Sequence, residues 1–271
     1  MYSGLMTKAS RFSNQTLKFL RKASRQKRQE WLDKNREEYE HVLLAPLKNL
    51  AQTLKTELAP IAPGYHFPQK GIGRLRRPAH RVSEGRGLYK DWMAYSASVP
   101  SESRFDHNPN LFFLINPEDS DDPVLVAGGL YMASSRQVRA IREAISQDAS
   151  AFDRLFKSKD FAKCFKDGFS DERISSRIPK GFDPAHPRMN WIRLQAFYVW
   201  RPYKKREFYS PDFPAIVARD WKQILRLNEL LDKALQGRLP KAPLKAKPPE
   251  FLDKLSEMGE GVVNLRPKMD F

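Results

Sequence analysis

The stretch NPNLFFLINPEDSDDPVLVAGGLY, residues 108–131, decides the fold of this chain. It contains two apolar runs, Asn110–Asn116 and Pro123–Tyr131, each bounded by Pro, Asn or Asp. Short apolar runs with such boundaries are typical of β-strands, because Pro, Asn and Asp favour turns over regular structure. The sequence therefore predicts a sheet in the middle of the chain.

Further elements extend from this pair in both directions. Met93–Val99 predicts a preceding strand, and Gln195–Trp200 predicts a later strand that returns to the sheet. A helical pattern begins at Ser135, and an aromatic-rich helical segment covers Phe152–Phe165. A final helix is predicted at Asp212–Gln236, since a glycine follows as a natural stop.

The N-terminal quarter is predicted to be helical. Ser13 is a suitable N-cap for a first helix. Leucines then recur at steps of three and four from Leu43 to Leu58, which predicts a long amphipathic helix that Pro46 should kink or divide.

The element order predicts an α+β fold, in which a mainly antiparallel central sheet is packed by N- and C-terminal helices. We expect one domain over residues 1–237. Residues 238–271 are rich in Pro and Lys, a composition that favours an extended, solvated tail.

Composition excludes several classes of protein. Among 271 residues, 41% are hydrophobic and 11% aromatic, which excludes a wholly disordered polycation. The single cysteine, Cys164, excludes an intrachain disulfide and a cysteine-based zinc cluster. Because no uncharged apolar run is long enough to cross a bilayer, we expect a soluble, cytoplasmic protein without a membrane partner.

The net charge of +16 is concentrated in two stretches. Residues 1–29 contain eight Lys and Arg and no acid, and residues 70–90 contain seven against Glu84 alone. Basic surfaces attract phosphates because bound counterions are released and because Arg matches two phosphate oxygens. The alternative is that these cations only solvate exposed faces or pair with acids elsewhere, such as Asp106, Asp119 or Glu143.

Three stretches resemble one uncharacterised family, the domain of unknown function (DUF) 2461, over roughly residues 11–236. Near the start, Phe19-Leu20, Trp31-Leu32, Tyr39 and Pro46-Leu47 resemble family positions. Later, Gly128–Tyr131 and the segment from Pro179 to Pro187 are similar to family motifs. The resemblance implies a fold and candidate positions, and it implies no reaction.

The family also carries a basic block, R-D-x-R-F-S-x-D-K-x-P-Y-K, which residues 78–90 resemble. Arg81, Ser83, Tyr89 and Lys90 match the block, and Arg86 replaces its first Lys. Both Asp positions are lost, at Ala79 and Gly85, so any step those acids perform in relatives should be absent. A site that keeps its cations and loses its acids is expected to bind an anion. The predicted ligand-binding residues are Arg81, Arg86, Tyr89, Lys90, Arg142 and Lys180.

The loop from Pro179 to Pro187 has two interpretations. The first places the cationic Lys180 and the titratable His186 on one rigid loop, with His186 and Asp183 as candidate catalytic residues, because His moves protons near neutral pH. Alternatively, Pro and Gly fix a turn in which Phe182 packs into the core and Asp183 caps the next segment. Likewise, the aromatic residues Trp191, Tyr198, Trp200 and Tyr203 could stack bases or form one core face of a strand.

Three functions remain open from the sequence. The first is binding of a phosphate-bearing ligand or of nucleic acid without sequence preference. The second is an enzyme, a hydrolase or transferase, that acts on such a ligand with His186 as acid or base. The third is a protein–protein interaction module with a solvated basic face. We expect no cofactor and no metal, since the histidines lack metal-ligand spacing.

Overall fold

The four strands and the longer helices follow one another in the order that the sequence predicts. The computed structural model describes residues 11–83, 87–101, 103–118 and 122–239. The strands are β1 (Met93–Ser98), β2 (Asn110–Ile115), β3 (Val124–Leu130) and β4 (Phe197–Tyr203). The helices are α1 (Asn14–Ser24), α2 (Trp31–Lys34), α3 (Arg36–Tyr39), α4 (Ala45–Leu58), α5 (Ala79–Ser83), α6 (Ser135–Gln147), α7 (Ser150–Lys157), α8 (Lys159–Cys164), α9 (Met189–Ile192), α10 (Lys205–Phe208) and α11 (Phe213–Leu235).

The four strands form one antiparallel sheet in the order β1-β2-β3-β4. In its register Ser96 pairs with Phe112, Phe112 with Ala127, and Ala127 with Trp200. Helices α6 to α9 lie in the chain between β3 and β4. The prediction of an α+β fold with an antiparallel sheet is confirmed, and β4 is the predicted strand that returns to the sheet.

One face of the sheet is buried under α11, which packs against β3 and β2. Phe113 on this face lies 6.1 Å from Phe213 of α11, measured between ring centroids. At Gly128 the helix comes so close that an added Cβ would lie 2.2 Å from Ile224 Cγ2. Glycine is therefore required at this position for the helix to pack on the sheet.

The N-terminal helices show why their sequence predictions succeed. The Ser13 side chain accepts a hydrogen bond from the Gln15 N–H and caps α1. A π-helical turn at Glu40–Leu44 directly precedes α4. Because Pro46 has no N–H to donate, the helical hydrogen bonding changes at this point, as predicted, and the chain continues as α4.

Some of the sequence predictions fall outside the described residues: Arg86, Asp119 and the predicted tail from residue 240 onward. Within the described ranges, no helix is long and apolar enough to span a bilayer.

Candidate functional site

The second face of the sheet is open, although its side chains are also apolar. Phe112, Leu114, Leu125 and Ala127 point to this face and are half-buried. Trp200 on β4 is 48% exposed. Large apolar side chains left uncovered in a row often mark a binding surface.

Around this face the chain forms a cavity of about 660 Å³, which we call the sheet-face cavity. One wall comes from the β1–β2 connection, including Ser101 and Asn108, and another from Tyr131 and Met132 after β3. Cavities of several hundred cubic ångströms with an apolar lining and a few polar groups are typical of small-molecule sites. The open face of the sheet is therefore a candidate site for a small ligand.

Tyr198 and Glu172 form a polar pair in the lining of the cavity. The Tyr198 hydroxyl donates to Glu172 Oε2, and the Ser170 hydroxyl donates to the Tyr198 oxygen at 3.0 Å. Burial, with the Glu172 contact as a second cause, raises the pKa of Tyr198 to about 12. Tyr198 therefore stays protonated at neutral pH and holds one carboxylate oxygen in place.

A second cavity, of about 390 Å³, shares Ser101 and Asn108 with the first. It is lined by Asp106, Arg136 and the half-buried Asp232 of α11. Hydrogen bonds from Ser134 and Arg136 lower the pKa of Asp106, whereas burial raises the pKa of Asp232 to about 6. This cavity is more polar than the first, and it adjoins the first cavity at the β1–β2 connection.

The two basic stretches of the sequence meet in the structure, and Tyr89 joins them. Tyr89 is 1% exposed, and its hydroxyl lies 2.8 Å from the Gln29 carbonyl oxygen. Arg76 Nη2 donates to the same oxygen at 2.6 Å. A Cβ at Gly87 would lie 3.5 Å from the Ser24 carbonyl, so the two segments are in contact there as well. We call the described residues of Ser24–Gln29 and Arg74–Lys90 the basic surface.

Most cations of the basic surface have no acidic partner among the residues that the structure describes. Arg77 pairs with Asp91 at 2.8 Å, and Arg76 lies 3.8 Å from Asp33. In the described part of the chain, no hydrogen bond or ion pair engages the exposed side chains of Arg25, Lys27, Arg28, Arg74 and Arg81.

Lys90 lies within this group of charges. Its ammonium is 4.9 Å from the ring centroid of Trp92. Burial, and then the charges of Arg77 and Arg74, lower the pKa of Lys90. A lysine whose cationic neighbours disfavour its own charge gains from a nearby anion.

Two of the acids that could have neutralised this region, Asp106 and Glu143, are engaged elsewhere. Asp106 accepts hydrogen bonds from Ser134 and Arg136, and Glu143 pairs with Arg139 at 2.7 Å. Asp119 lies outside the described residues. Counted over the described part of the chain, the basic surface therefore has an excess of positive charge.

The loop from Pro179 to Pro187 is held by backbone contacts. Nδ1 of His186 accepts from the Arg188 N–H at 3.0 Å, and Nε2 lies 3.2 Å from the Ser146 carbonyl oxygen. These contacts select the tautomer with its proton on Nε2. Asp183 Oδ1 accepts from the Ala185 N–H at 2.9 Å, which is a local turn contact.

The remaining predicted positions are separate from both the cavity and the basic surface. Arg142 Nη2 donates to the Leu194 carbonyl at 2.8 Å and ties α6 to the segment before β4. Lys180 is exposed on the loop that His186 anchors to the end of α6. Of the predicted site residues, Arg81, Tyr89 and Lys90 belong to the segments of the basic surface, and none of those that the structure describes lines the sheet-face cavity.

Cys164 contacts Asp220, a fully buried acid of α11. Its Sγ donates to Asp220 Oδ1 at 3.2 Å, and burial raises the pKa of the Cys164 thiol to about 11. Asp220 also accepts from the Tyr203 hydroxyl at 2.6 Å and lies 3.2 Å from Arg201. In the ranges that the structure covers, no group of three or more His, Cys, Asp or Glu is placed to hold a metal.

The sheet-face cavity was not among the predicted sites, although one signal for it is present. The runs at β2 and β3 are apolar at nearly every position rather than at alternate ones. In an antiparallel sheet this pattern means that both faces are apolar, although such sheets often have one solvated face. The sequence pattern does not show which face a helix covers.

The sequence profile of the conserved hypothetical protein family DUF2461 matches residues 15–229. The chain belongs to this family. The DUF2461 match takes in the basic surface and all four strands, so both candidate sites lie within it. Comparisons with curated proteins and with solved structures found no match.

Proposed function

We propose that this DUF2461 protein binds a polyanion that carries phosphate groups, such as a nucleic acid, through the basic surface. The observation that carries the proposal is the junction at Tyr89. Its hydroxyl and the Arg76 guanidinium both contact the backbone at Gln29. These contacts turn two basic stretches that are far apart in the sequence into one surface.

The charges on this surface suit a chain of phosphates better than a single small anion. Arg25, Lys27 and Arg28 extend from the end of α1, while Arg74 and Arg81 lie on the other stretch. An array of free guanidinium and ammonium groups neutralises successive phosphates and releases their counterions. The binding expected from such an array is independent of base sequence, since it reads the backbone alone.

The geometry favours binding over catalysis by these residues. Neither the sheet-face cavity nor the second cavity is lined by Arg81 or Lys90. Both ring nitrogens of His186 contact backbone groups, at a loop held by α6. An active site would need the cations and an acid or base to converge in one concave pocket.

The test is fluorescence anisotropy with a labelled DNA duplex of mixed sequence, titrated at several salt concentrations. For contacts with about five phosphates, the slope of log affinity against log salt should be about −4 to −5. A second duplex of unrelated sequence should bind equally well. No binding at low salt would contradict the proposal and favour a merely solvated basic face.

Two sets of charge-neutralising variants make the test specific to the surface. The first set replaces Arg25, Arg28, Arg74 and Arg81 with Gln. The control set removes the same number of positive charges elsewhere, with Gln at Lys159, Lys163, Lys166 and Lys205. We expect the first set to reduce the salt slope by about 0.9 for each phosphate that the variant no longer neutralises. If the two sets reduced the salt slope equally, net charge alone would account for DNA binding.

A further inference from the structure

We propose that the sheet-face cavity binds a small organic cation, an ammonium group carried on an apolar body. This site is separate from the basic surface and takes a ligand of opposite charge. The inference rests on the charges that line the cavity, on its aromatic rings and on the geometry of Glu172.

The lining of the cavity has the opposite charge to the rest of the chain. The protein has 48 Lys and Arg against 32 Asp and Glu, yet no Lys or Arg is among the described residues that line this cavity. Glu172 is the acid that lines it. The lining also includes one histidine, His107. An anion would therefore meet a carboxylate and neither Lys nor Arg among the described lining residues, while a cation would meet an attractive partner.

Four aromatic side chains line the same space: Phe112, Tyr131, Tyr198 and Trp200. The negative faces of aromatic rings attract ammonium groups, and Trp is the strongest of these partners. Tyr131 and Tyr198 meet edge to face with ring centroids 5.1 Å apart. Aromatic rings beside one carboxylate form the arrangement that recognises alkylated ammonium ions.

One ring of the group already contacts a cation of the protein. The Arg173 guanidinium lies 5.3 Å from the Tyr131 ring centroid, and its Nη1 donates to the Tyr131 carbonyl. Arg173 does not line the cavity. Of the other three rings, Tyr198 is buried, whereas Trp200 and Phe112 are more exposed and are available to a ligand cation.

Glu172 is held in position for such a ligand. The Tyr198 hydroxyl engages Oε2, and no described residue donates to Oε1. A fixed carboxylate with one free oxygen needs little reorganisation to accept an ammonium N–H or to approach a quaternary ammonium. The apolar side chains of Leu114, Leu125 and Met132 would contact the body of the ligand.

The experiment is a calorimetric titration of the full chain with three small probes of similar shape. These are choline, its uncharged carbon analogue 3,3-dimethylbutan-1-ol, and the anion 3,3-dimethylbutanoate. Benzyltrimethylammonium serves as a larger cation that fills more of the cavity. We expect both cations to bind at millimolar concentration or better, the alcohol to bind about tenfold more weakly than choline, and the anion not to bind.

Two variants and two matched controls locate the binding. Glu172→Gln and Trp200→Ala should each weaken benzyltrimethylammonium binding about tenfold. Asp171→Asn removes the same charge next to Glu172 but outside the lining, and Trp92→Ala removes an exposed Trp beside the basic surface. Both control variants should bind benzyltrimethylammonium with the affinity of the native protein. Circular dichroism confirms that each variant is folded, and Glu172→Gln keeps the test valid if Trp200→Ala is unstable.

Other outcomes would overturn the proposal. Equal affinity for choline and its uncharged analogue would show an apolar pocket without cation selectivity. Native affinity in Glu172→Gln would show that the carboxylate has no role. If sedimentation shows a dimer that Trp200→Ala dissociates, then a second copy of the chain covers this face. Because DNA binding is measured with different variants, these results are independent of the proposed polyanion function.

Discussion

Phe112 and Phe113 are neighbours in β2, yet they lie on opposite faces of the sheet and in different environments. Phe113 is fully buried and packs between Phe12 and Phe213. Phe112 is half-buried and lines the sheet-face cavity. The difference shows that apolar composition alone does not separate the two roles, since the covering element decides whether a phenylalanine stabilises the fold or contacts a ligand.

The two faces also differ in how their remaining polar groups are satisfied. On the covered side, buried Asp220 has partners on β4 and α8, including Tyr203 and Cys164. On the open side, Glu172 and Tyr198 are among the polar groups that line the cavity. A charge in the core needs partners from the protein itself, whereas the exposed Glu172 keeps an oxygen for solvent or ligand.

The largest expected effect is a direct comparison of these two phenylalanines. Phe113→Ala should lower the free energy of unfolding by about 3–5 kcal/mol, because it leaves a void among fully buried rings. Phe112→Ala should lower it by less than about 1 kcal/mol, because the side chain is already partly solvated. Urea denaturation measures both. A similar loss for the two variants would mean that the open face is covered in solution.

A smaller effect is expected from the glycine under the helix. Gly128→Ala would place a Cβ 2.2 Å from Ile224 and 2.7 Å from the Asn110 carbonyl oxygen, so the helix must move away from the sheet. We expect a loss of about 2 kcal/mol in the free energy of unfolding.

Gly64→Ala is the matched control for this measurement, since its added Cβ would make only ordinary contact with Val99 at 3.8 Å. It should change the free energy of unfolding by no more than about 0.5 kcal/mol. If Gly128→Ala is equally harmless, α11 packs less closely on the sheet in solution than these distances require.

The smallest effect concerns Asp232, near the C-terminal end of α11, where the helix borders the second cavity. Burial raises the pKa of Asp232 to about 6 from its ordinary value of 3.8. The folded protein then holds this proton more tightly than the unfolded chain does. Stability should therefore fall as the pH rises from about 4 to 6, and the loss persists at higher pH.

Asp232→Asn removes this pH-dependent loss. At pH 7 the variant should be more stable than the native protein by up to about 1 kcal/mol, after allowance for solvent screening of a half-buried group. At about pH 4 the two proteins should be alike. Thermal unfolding across this pH range is the measurement, with the exposed Asp171→Asn as control. If Asp232→Asn stabilised the protein as much at pH 4 as at pH 7, the pH-dependent loss of stability would not come from Asp232.

Much of the fold is predictable because its signals are local. The Ser13 cap, the leucine spacing of α4 and the turn residues around β2 and β3 act within a few residues of one another. The effect of Pro46 is local as well, because its missing N–H removes a helical hydrogen bond at its own position. The candidate sites depend instead on contacts between distant segments, such as Tyr89 with Gln29 and Glu172 with Tyr198.

The sequence by itself determined the identity and order of the elements and the stretches that carry the positive charge. Only the tertiary structure decided that the two basic stretches share one surface, because the Tyr89 hydroxyl reaches across 60 residues of chain. It also decided that Phe112 faces a cavity while Phe113 faces a helix, since α11 can cover only one side of the sheet. Period-two alternation assigns residues to opposite faces, and long-range packing determines which face is buried.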